Sequence, residues 1–389
     1  MRVMLVSHRG GLEGGGEICL LEAAEGLTMH GKDVHVVLPS DGAFRSRLDE
    51  LGICNTVVWN DHWLKEGSPP PRKSRLANLG RNVRAVWRMK QLFTKEQPDV
   101  VMTNTLTMPV SAFAAKLANI PHVWYAHEMF GKDRFDVHFN LPIPLTLALI
   151  DFLSVRVIAG SDAMRKRLAR YIRPHKLHVV YYANRIAPVV GNRTPAPSER
   201  FQLLQVGRIN EAKGGEDAVR AVAQLRSAGY DVALTLLGSE IQGYGDFLRR
   251  LAQELGIAEY ITLAPFDEPY AYYTQANVVL LCSRMECFGR VIAEAMKMGK
   301  PVIATNRGGI PEQVQPGING WLYEPGDGAM LAKHIAALYD DRAVAKRMGK
   351  QGQEWATRNF NLEKMTNELV GVLSQVARPA RLANDVVAA

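Results

Sequence analysis

Two glutamates eight positions apart stand in the run Ser283-Arg-Met-Glu286-Cys-Phe-Gly289-Arg-Val-Ile-Ala-Glu294, and two cations five apart, Arg208 and Lys213, precede them. Carboxylates accept hydrogen bonds from hydroxyls, so the first pair suits a sugar or a ribose. Cations suit a phosphate, above all one that gains charge as it leaves. His127, in Tyr125-Ala-His127-Glu128, adds an imidazole able to exchange a proton near neutrality.

The order of elements gives these side chains one meeting point. Ala276 to Cys282 reads as a buried strand. After Gly289, Val291, Ile292, Ala295, Met296 and Met298 recur at helical spacing until Gly299-Lys-Pro301 stops the pattern. Glu286 thus falls on a strand-to-helix loop and Glu294 lies further along the helix. A helix start presents unpaired N–H groups and partial positive charge, a ready seat for phosphate. A diphosphate there, a sugar towards Glu286 and a ribose towards Glu294 is the occupancy this order suggests. Arg208 ends another strand and Lys213 opens its helix, so both reach the space above that turn.

The 389 residues exceed what one core normally serves, so two domains are expected. Cys19, Cys54, Cys282 and Cys287 show no paired spacing, which suggests neither a disulfide framework nor a zinc site. With no signal-peptide layout and no apolar run long enough for a bilayer, the expected location is cytoplasmic. The net charge of +8 is unevenly placed, for residues 1–188 carry 25 Lys/Arg against 17 Asp/Glu and the remainder balances. That asymmetry points to an acidic partner or surface for the first half.

Strand candidates at Val3–Ser7, Asp33–Leu38, Val100–Asn104, His122–Ala126, Val155–Ala159 and His178–Tyr182 alternate with helical patterns. The alternation restarts at Phe201–Val206, Val232–Leu237, Ile261–Ala264, Val278–Cys282 and Val302–Thr305. Each half therefore reads as a doubly wound α/β domain with a parallel sheet. Expected boundaries are 1–187 for the first domain, 188–199 for a Pro/Gly-rich linker, 200–361 for the second, 362–377 for a final helix and 378–389 for a disordered tail.

The pattern from Ser283 to Val302 resembles the E-x7-E signature of retaining nucleotide-sugar glycosyltransferases of the GT-B fold, in particular family 4 (glycosyl transferases group 1). Gly207-Arg208-Ile-Asn-Glu-Ala-Lys213-Gly214 is similar to that family's phosphate-binding element, and Gly14-Gly15-Gly16-Glu17 to the start of its first helix. The resemblance implies two Rossmann-like domains facing across a cleft, the first taking the acceptor and the last helix crossing back onto it. It implies that Glu286 holds donor-sugar hydroxyls, with Cys287, Phe288, Gly289 and Val291 around the donor, and that Glu294 holds the ribose. It places Arg208 and Lys213 on the phosphates, Pro265 and Phe266 beside the base, Gly14 and Gly15 near the donor, and His127 near the reacting centre. A UDP- or GDP-sugar is the expected co-substrate, with no cofactor; the lack of an Asp-x-Asp triplet favours transfer without a metal. The segment at Asn184-Arg185-Ile186 departs from the family's usual Asn-Gly-Val.

The acceptor side carries a second signal. Arg72, Lys73, Arg75, Arg81, Arg84, Arg88, Lys90 and Lys95 occur in one stretch without an acidic residue, with Leu76, Leu79, Val83, Val86, Trp87 and Leu92 at helical spacings. This reads as a basic amphipathic helix fit for anionic headgroups at the inner face of the membrane. A lipid-linked glycan or lipopolysaccharide core is the acceptor such a helix suggests. Two rivals stand beside this reading. A sugar-nucleotide 2-epimerase would need carboxylates in the first domain that the spacing does not reveal. A nucleic-acid binder would need aromatic platforms, and the basic stretch holds only Trp87; no nucleic-acid partner is expected.

Overall fold

The computed structural model describes the chain outside residues 13, 61, 67–71, 131–136, 140, 187–198, 242 and 380–389; for 64–66, 72–79 and 137–139 it describes the backbone alone. Two compact units emerge, Met1–Ala183 with Leu362–Ala389, and Asn184–Asn361. The expected linker lies outside the described residues apart from Glu199, and so does the tail beyond Pro379.

The first unit runs β1 (Arg2–Val6), α1 (Gly15–Met29), β2 (Asp33–Leu38), α2 (Ala43–Glu50) and β3 (Cys54–Val57). There follow β4 (Leu64–Glu66), α3 (Arg72–Glu96), β5 (Val100–Asn104), α4 (Val110–Leu117) and β6 (His122–Ala126). It continues through β7 (Val137–Phe139), α5 (Ile143–Leu153), β8 (Arg156–Ala159), α6 (Asp162–Leu168) and β9 (Leu177–Val179). Seven of these strands form one parallel sheet in the order β3-β2-β1-β5-β6-β8-β9, while β4 and β7 pair antiparallel. Every residue of β5 and β6 is buried, as strands covered on both faces must be. β3 was not among the expected strands: it is a short, half-exposed edge whose sequence, Cys-Asn-Thr-Val, carries little apolar signal.

Right-handed crossovers fix which helices share a face. From β1 the chain moves outward to β2 and β3, then returns past β1 to β5, β6, β8 and β9. α1 and α2 therefore cover one face, and α3, α4, α5 and α6 the other. The apolar stripe of α3 differs from the expected one. Ala85, Met89 and Phe93 are buried against Val110, Ala114 and Ala115 of α4, with Val86 and Leu92 partly buried beside them. Val83 and Trp87 point the other way and are 50% and 53% exposed. Counting Leu, Val and Trp while passing over Ala and Met rotated the stripe. Leu76 and Leu79 have no described side chains.

The second unit holds β10 (Phe201–Val206), α7 (Gly215–Ser227), β11 (Val232–Leu237), α8 (Tyr244–Glu254), β12 (Ile261–Ala264) and α9 (Tyr270–Gln275). Then come β13 (Val278–Leu281), α10 (Arg290–Lys297), β14 (Val302–Thr305), β15 (Gly320–Tyr323), α11 (Gly328–Asp340) and α12 (Arg342–Asn359). Its parallel sheet has the order β12-β11-β10-β13-β14-β15. The switch from β12 back past β10 to β13 leaves the carboxyl ends of β10 and β13 side by side, where such sheets bind ligands. The final helix, α13 (Leu362–Ser374), rejoins the first unit against α1. There Asn367 Oδ1 meets His30 Nε2 at 3.1 Å, and the Arg378 amide donates to the Asp99 carbonyl at 3.0 Å.

Candidate active site

The carboxyl ends of β10 and β13 carry most of the expected residues of the second unit. After β10, a short 3-10 turn at Glu211–Lys213 is capped by Asn210, whose side chain accepts from the Lys213 amide at 3.2 Å. Gly214 follows with a φ of 65°. A Cβ at that position would lie 2.1 Å from the Cys282 carbonyl oxygen, so glycine alone lets this turn lie against the end of β13. The close approach sets Lys213 beside the loop that follows β13.

In that loop Glu286 Oε1 accepts from the Ser283 hydroxyl at 2.7 Å and is ion-paired with Lys213 Nζ. Arg208 is exposed at the same sheet edge. Gly289, in a left-handed conformation with a φ of 89°, is the residue before α10 and offers no side chain to cap it. Cys287 and Phe288 are buried, Phe288 edge-on to Phe360 with ring centroids 5.1 Å apart, while Val291 is half-buried on the first turn. Two turns into the motif, Glu294 Oε2 accepts from the Tyr273 hydroxyl at 3.0 Å, and Arg290 lies 3.5 Å from its other oxygen. Burial, followed by the Glu294 charge, drives the Tyr273 phenol well above its usual range, so it stays a donor. Pro265 and Phe266 follow β12 and are exposed, Phe266 by 56%.

Three supports for this loop escaped the sequence. Arg284 forms a two-pronged pair with Asp217 of α7 at 2.8 and 2.9 Å, and Asp217 also accepts from the Gly326 amide at 2.9 Å. This brace ties the Glu286 loop to the helix that Lys213 precedes. Gln313 donates to the Phe288 carbonyl, and the Gly309 amide donates to the Glu286 carbonyl at 3.1 Å. Gly308-Gly309-Ile310-Pro311 does carry a turn signal, but nothing local says which carbonyl the turn will meet.

His127, Gly14 and Gly15 belong to the first unit. His127 Nδ1 lies 2.7 Å from the Tyr182 hydroxyl and Nε2 lies 2.6 Å from Asn104 Oδ1, while Asn104 Nδ2 donates to the Gly16 carbonyl at 2.9 Å. With the amide oxygen accepting, Nε2 donates to Asn104, and Nδ1 shares a hydrogen bond with the Tyr182 hydroxyl. Both ring nitrogens thus have protein partners, and the histidine is the hub of a network linking β5, β6 and the glycine turn. Glu128 accepts from the Leu106 and His127 amides at 2.9 and 3.4 Å, and burial raises its carboxyl above the usual range. At Gly14 an added Cβ would sit 2.3 Å from Glu17 Oε2, so glycine lets that carboxylate close against the turn. Glu17 is buried and its Oε1 lies 3.1 Å from His8 Nε2. Burial pulls that carboxyl upward, yet the His8 contact and Arg9 together hold it below its ordinary value. Gly15 opens α1.

Among the described residues, no group of three or more His, Cys, Asp or Glu side chains is arranged to hold a metal ion, and no helix is long and apolar enough to cross a membrane.

Two family models match consecutive stretches, Glycosyltransferase Family 4 over residues 13–183 and Glycosyl transferases group 1 over residues 191–355. The chain is 38% identical over 169 residues to D-inositol 3-phosphate glycosyltransferase 1 of Catenulispora acidiphila, covering 40% of each. It is 31% identical over 185 residues to a GDP-mannose-dependent alpha-(1-6)-phosphatidylinositol monomannoside mannosyltransferase of Mycobacterium tuberculosis, covering 45% of this chain and 48% of that one. The matches thus span less than half the length of either curated relative. Along nearly its whole length the chain is similar to Anabaena HepE in complex with UDP-glucose, with a TM-score of 0.77, 25% identity and coverage of 96% and 99%. Two parallel α/β sheets and two family matches that together run from residue 13 to residue 355 place the chain among the group 1 glycosyltransferases of GT-B fold.

Proposed function

We propose that the protein transfers a sugar from a nucleoside-diphosphate donor to a glycan acceptor with retention of anomeric configuration. The observation that carries this is Lys213 seated on Glu286 at the mouth of α10, with Glu294 held by Tyr273 further along the same helix. A donor entering there sets its diphosphate against the first amides of α10 and the cations Lys213 and Arg208. Its ribose hydroxyls bond Glu294, its sugar hydroxyls bond Glu286, and the base rests by Pro265 and Phe266. In transfer the bond from the anomeric carbon to the diphosphate oxygen breaks, and the acceptor oxygen bonds to that carbon on the same face. The acceptor's proton passes to the departing diphosphate. The charge released is taken by Lys213, Arg208 and the helix terminus, so the reading assigns no role to a metal. The first unit binds the acceptor, with the His127–Asn104–Tyr182 network as a positioning element. UDP-glucose in the HepE complex and GDP-mannose in the mycobacterial relative's name support UDP- or GDP-sugars as the donors to try first.

A thermal-shift panel of nucleotide sugars, followed by product analysis with the binding donor, tests the proposal. A ligand bound at a hundred times its Kd stabilises by about 2.7 kcal/mol, which is readily seen. Stabilisation by none of them refutes it, and conversion of the donor alone into a second nucleotide sugar identifies an epimerase. Tyr273→Phe then probes the ribose contact. Loss of a hydrogen bond to a charged group costs about 1.5–3 kcal/mol, so donor affinity measured by calorimetry should fall roughly tenfold or more. Unchanged affinity would show that Glu294 needs no such support.

A further inference from the structure

On the outer side of the helical layer of the first unit, large apolar side chains lie in solvent. Leu145 and Phe152 of α5 are 50% and 63% exposed and fall on one face, with Leu141 at 38% leading into it. Phe113 and Leu117 of α4, one turn apart, are 37% and 53% exposed. Lys116 of α4 stands over the Phe152 ring, 4.8 Å from its centroid, so the two helices present one continuous surface. α4 packs against α3, on which Arg84, Arg88 and Lys95 are exposed at helical spacing with Trp87, while Arg81 lies over the Trp59 ring at 5.4 Å.

We propose that this face docks on an anionic lipid bilayer, α4 and α5 entering the acyl boundary while Lys116 and the cations of α3 stay among the headgroups. Contiguous exposed apolar groups of this size mark interaction sites rather than ordinary surface. Their rim decides the partner. The one acidic residue of α5, Asp151, is mostly buried and already engaged by Arg173 at 2.9 Å and Lys176 at 3.5 Å. A second copy of this chain, meeting face to face, would set the same cations against each other. Lysine and arginine beside apolar side chains instead match an interfacial element, whose stems reach up to anionic headgroups. The surface differs from the one the sequence suggested, since α3 spends its own apolar stripe inside the unit and supplies charge only. Docking concerns where the protein works and does not depend on the transfer reaction proposed above.

The full chain should pellet with sucrose-loaded vesicles of phosphatidylglycerol and phosphatidylcholine at low salt. Leu145→Glu/Phe152→Glu should lower the partition at least tenfold. Arg84→Gln/Arg88→Gln should lower it about fivefold per cation and flatten its salt dependence. Should the glutamate variant melt early, Phe152→Trp gives an independent reading: brominated acyl chains in the vesicles should quench its emission in excess of the quenching seen for the six tryptophans of the wild type. Wild type left in the supernatant, glutamate variants that pellet like wild type, or a Phe152→Trp quenched no more than wild type would each overturn docking. So would a wild-type dimer in sedimentation velocity that Leu145→Glu splits, since the face would then join two copies. Donor-induced thermal shifts, run on the same variants, report on the other unit and separate this failure from failure of the functional reading.

Discussion

Lys213→Ala should lower turnover about a hundredfold to a thousandfold, the scale on which removing one group from a developing negative charge is felt. Lys213 is held by Glu286, and under the proposed function a bound donor gives it a second partner in the diphosphate. The ammonium is thus aimed before substrate arrives and pays little to reorganise. Its removal also leaves the Glu286 carboxylate with Ser283 as its remaining partner in this pair of contacts. Stability should change far less. The two side chains are 26% and 17% exposed, and pairs within reach of water are worth about 1 kcal/mol or less, so the melting temperature should move by only a few degrees. Glu286→Gln keeps the shape and the hydroxyl contact while removing the charge, and should lose turnover with nearly unchanged donor affinity. Steady-state kinetics with the donor found by thermal shift, read against melting curves, decide the matter. A Lys213→Ala enzyme with wild-type turnover would remove this lysine from the phosphate site.

Much of this site was legible because its pieces are local. The strand before Glu286, the helix after it and the glycine between them lie within one short run, and apolar spacing alone orders them. Lys213 and Arg208 were legible for the same reason, as residues at the end of one strand and the start of its helix. The supports were not. Asp217 looks like any acidic residue in the first turn of a helix, where the dipole favours it, and only the fold brings Arg284 to it. His127 shows the limit from the other side. Its position at the end of a strand was readable, but that Tyr182 and Asn104 occupy both nitrogens depends on the end of β5 and the segment after β9 converging on it. The misread stripe of α3 has a simpler cause, since Ala85 and Met89 pack as well as leucine against the small residues of α4.

Gly308 offers the sharpest test of how the loop around Glu286 is held. Its φ is 60°, and an added Cβ would lie 1.9 Å from the Glu286 carbonyl oxygen, a backbone atom that the Gly309 amide already fixes at 3.1 Å. Neither side is a flexible side-chain end, so Gly308→Ala must push the two segments apart by about 1 Å or more. A displacement of that size in a catalytic group costs about a hundredfold in rate. Gly317→Ala is the matched control. Its φ is 81°, yet nothing lies within 4 Å of the added Cβ. Both substitutions share the left-handed backbone penalty of about 1–2 kcal/mol, and only the first adds the collision with Glu286. Melting curves should therefore show a modest loss for Gly317→Ala and a larger one for Gly308→Ala, while turnover should collapse in the second alone. Equal turnover in the two variants would mean that Glu286 keeps its place without this turn, leaving the Arg284–Asp217 brace and Ser283 to position it.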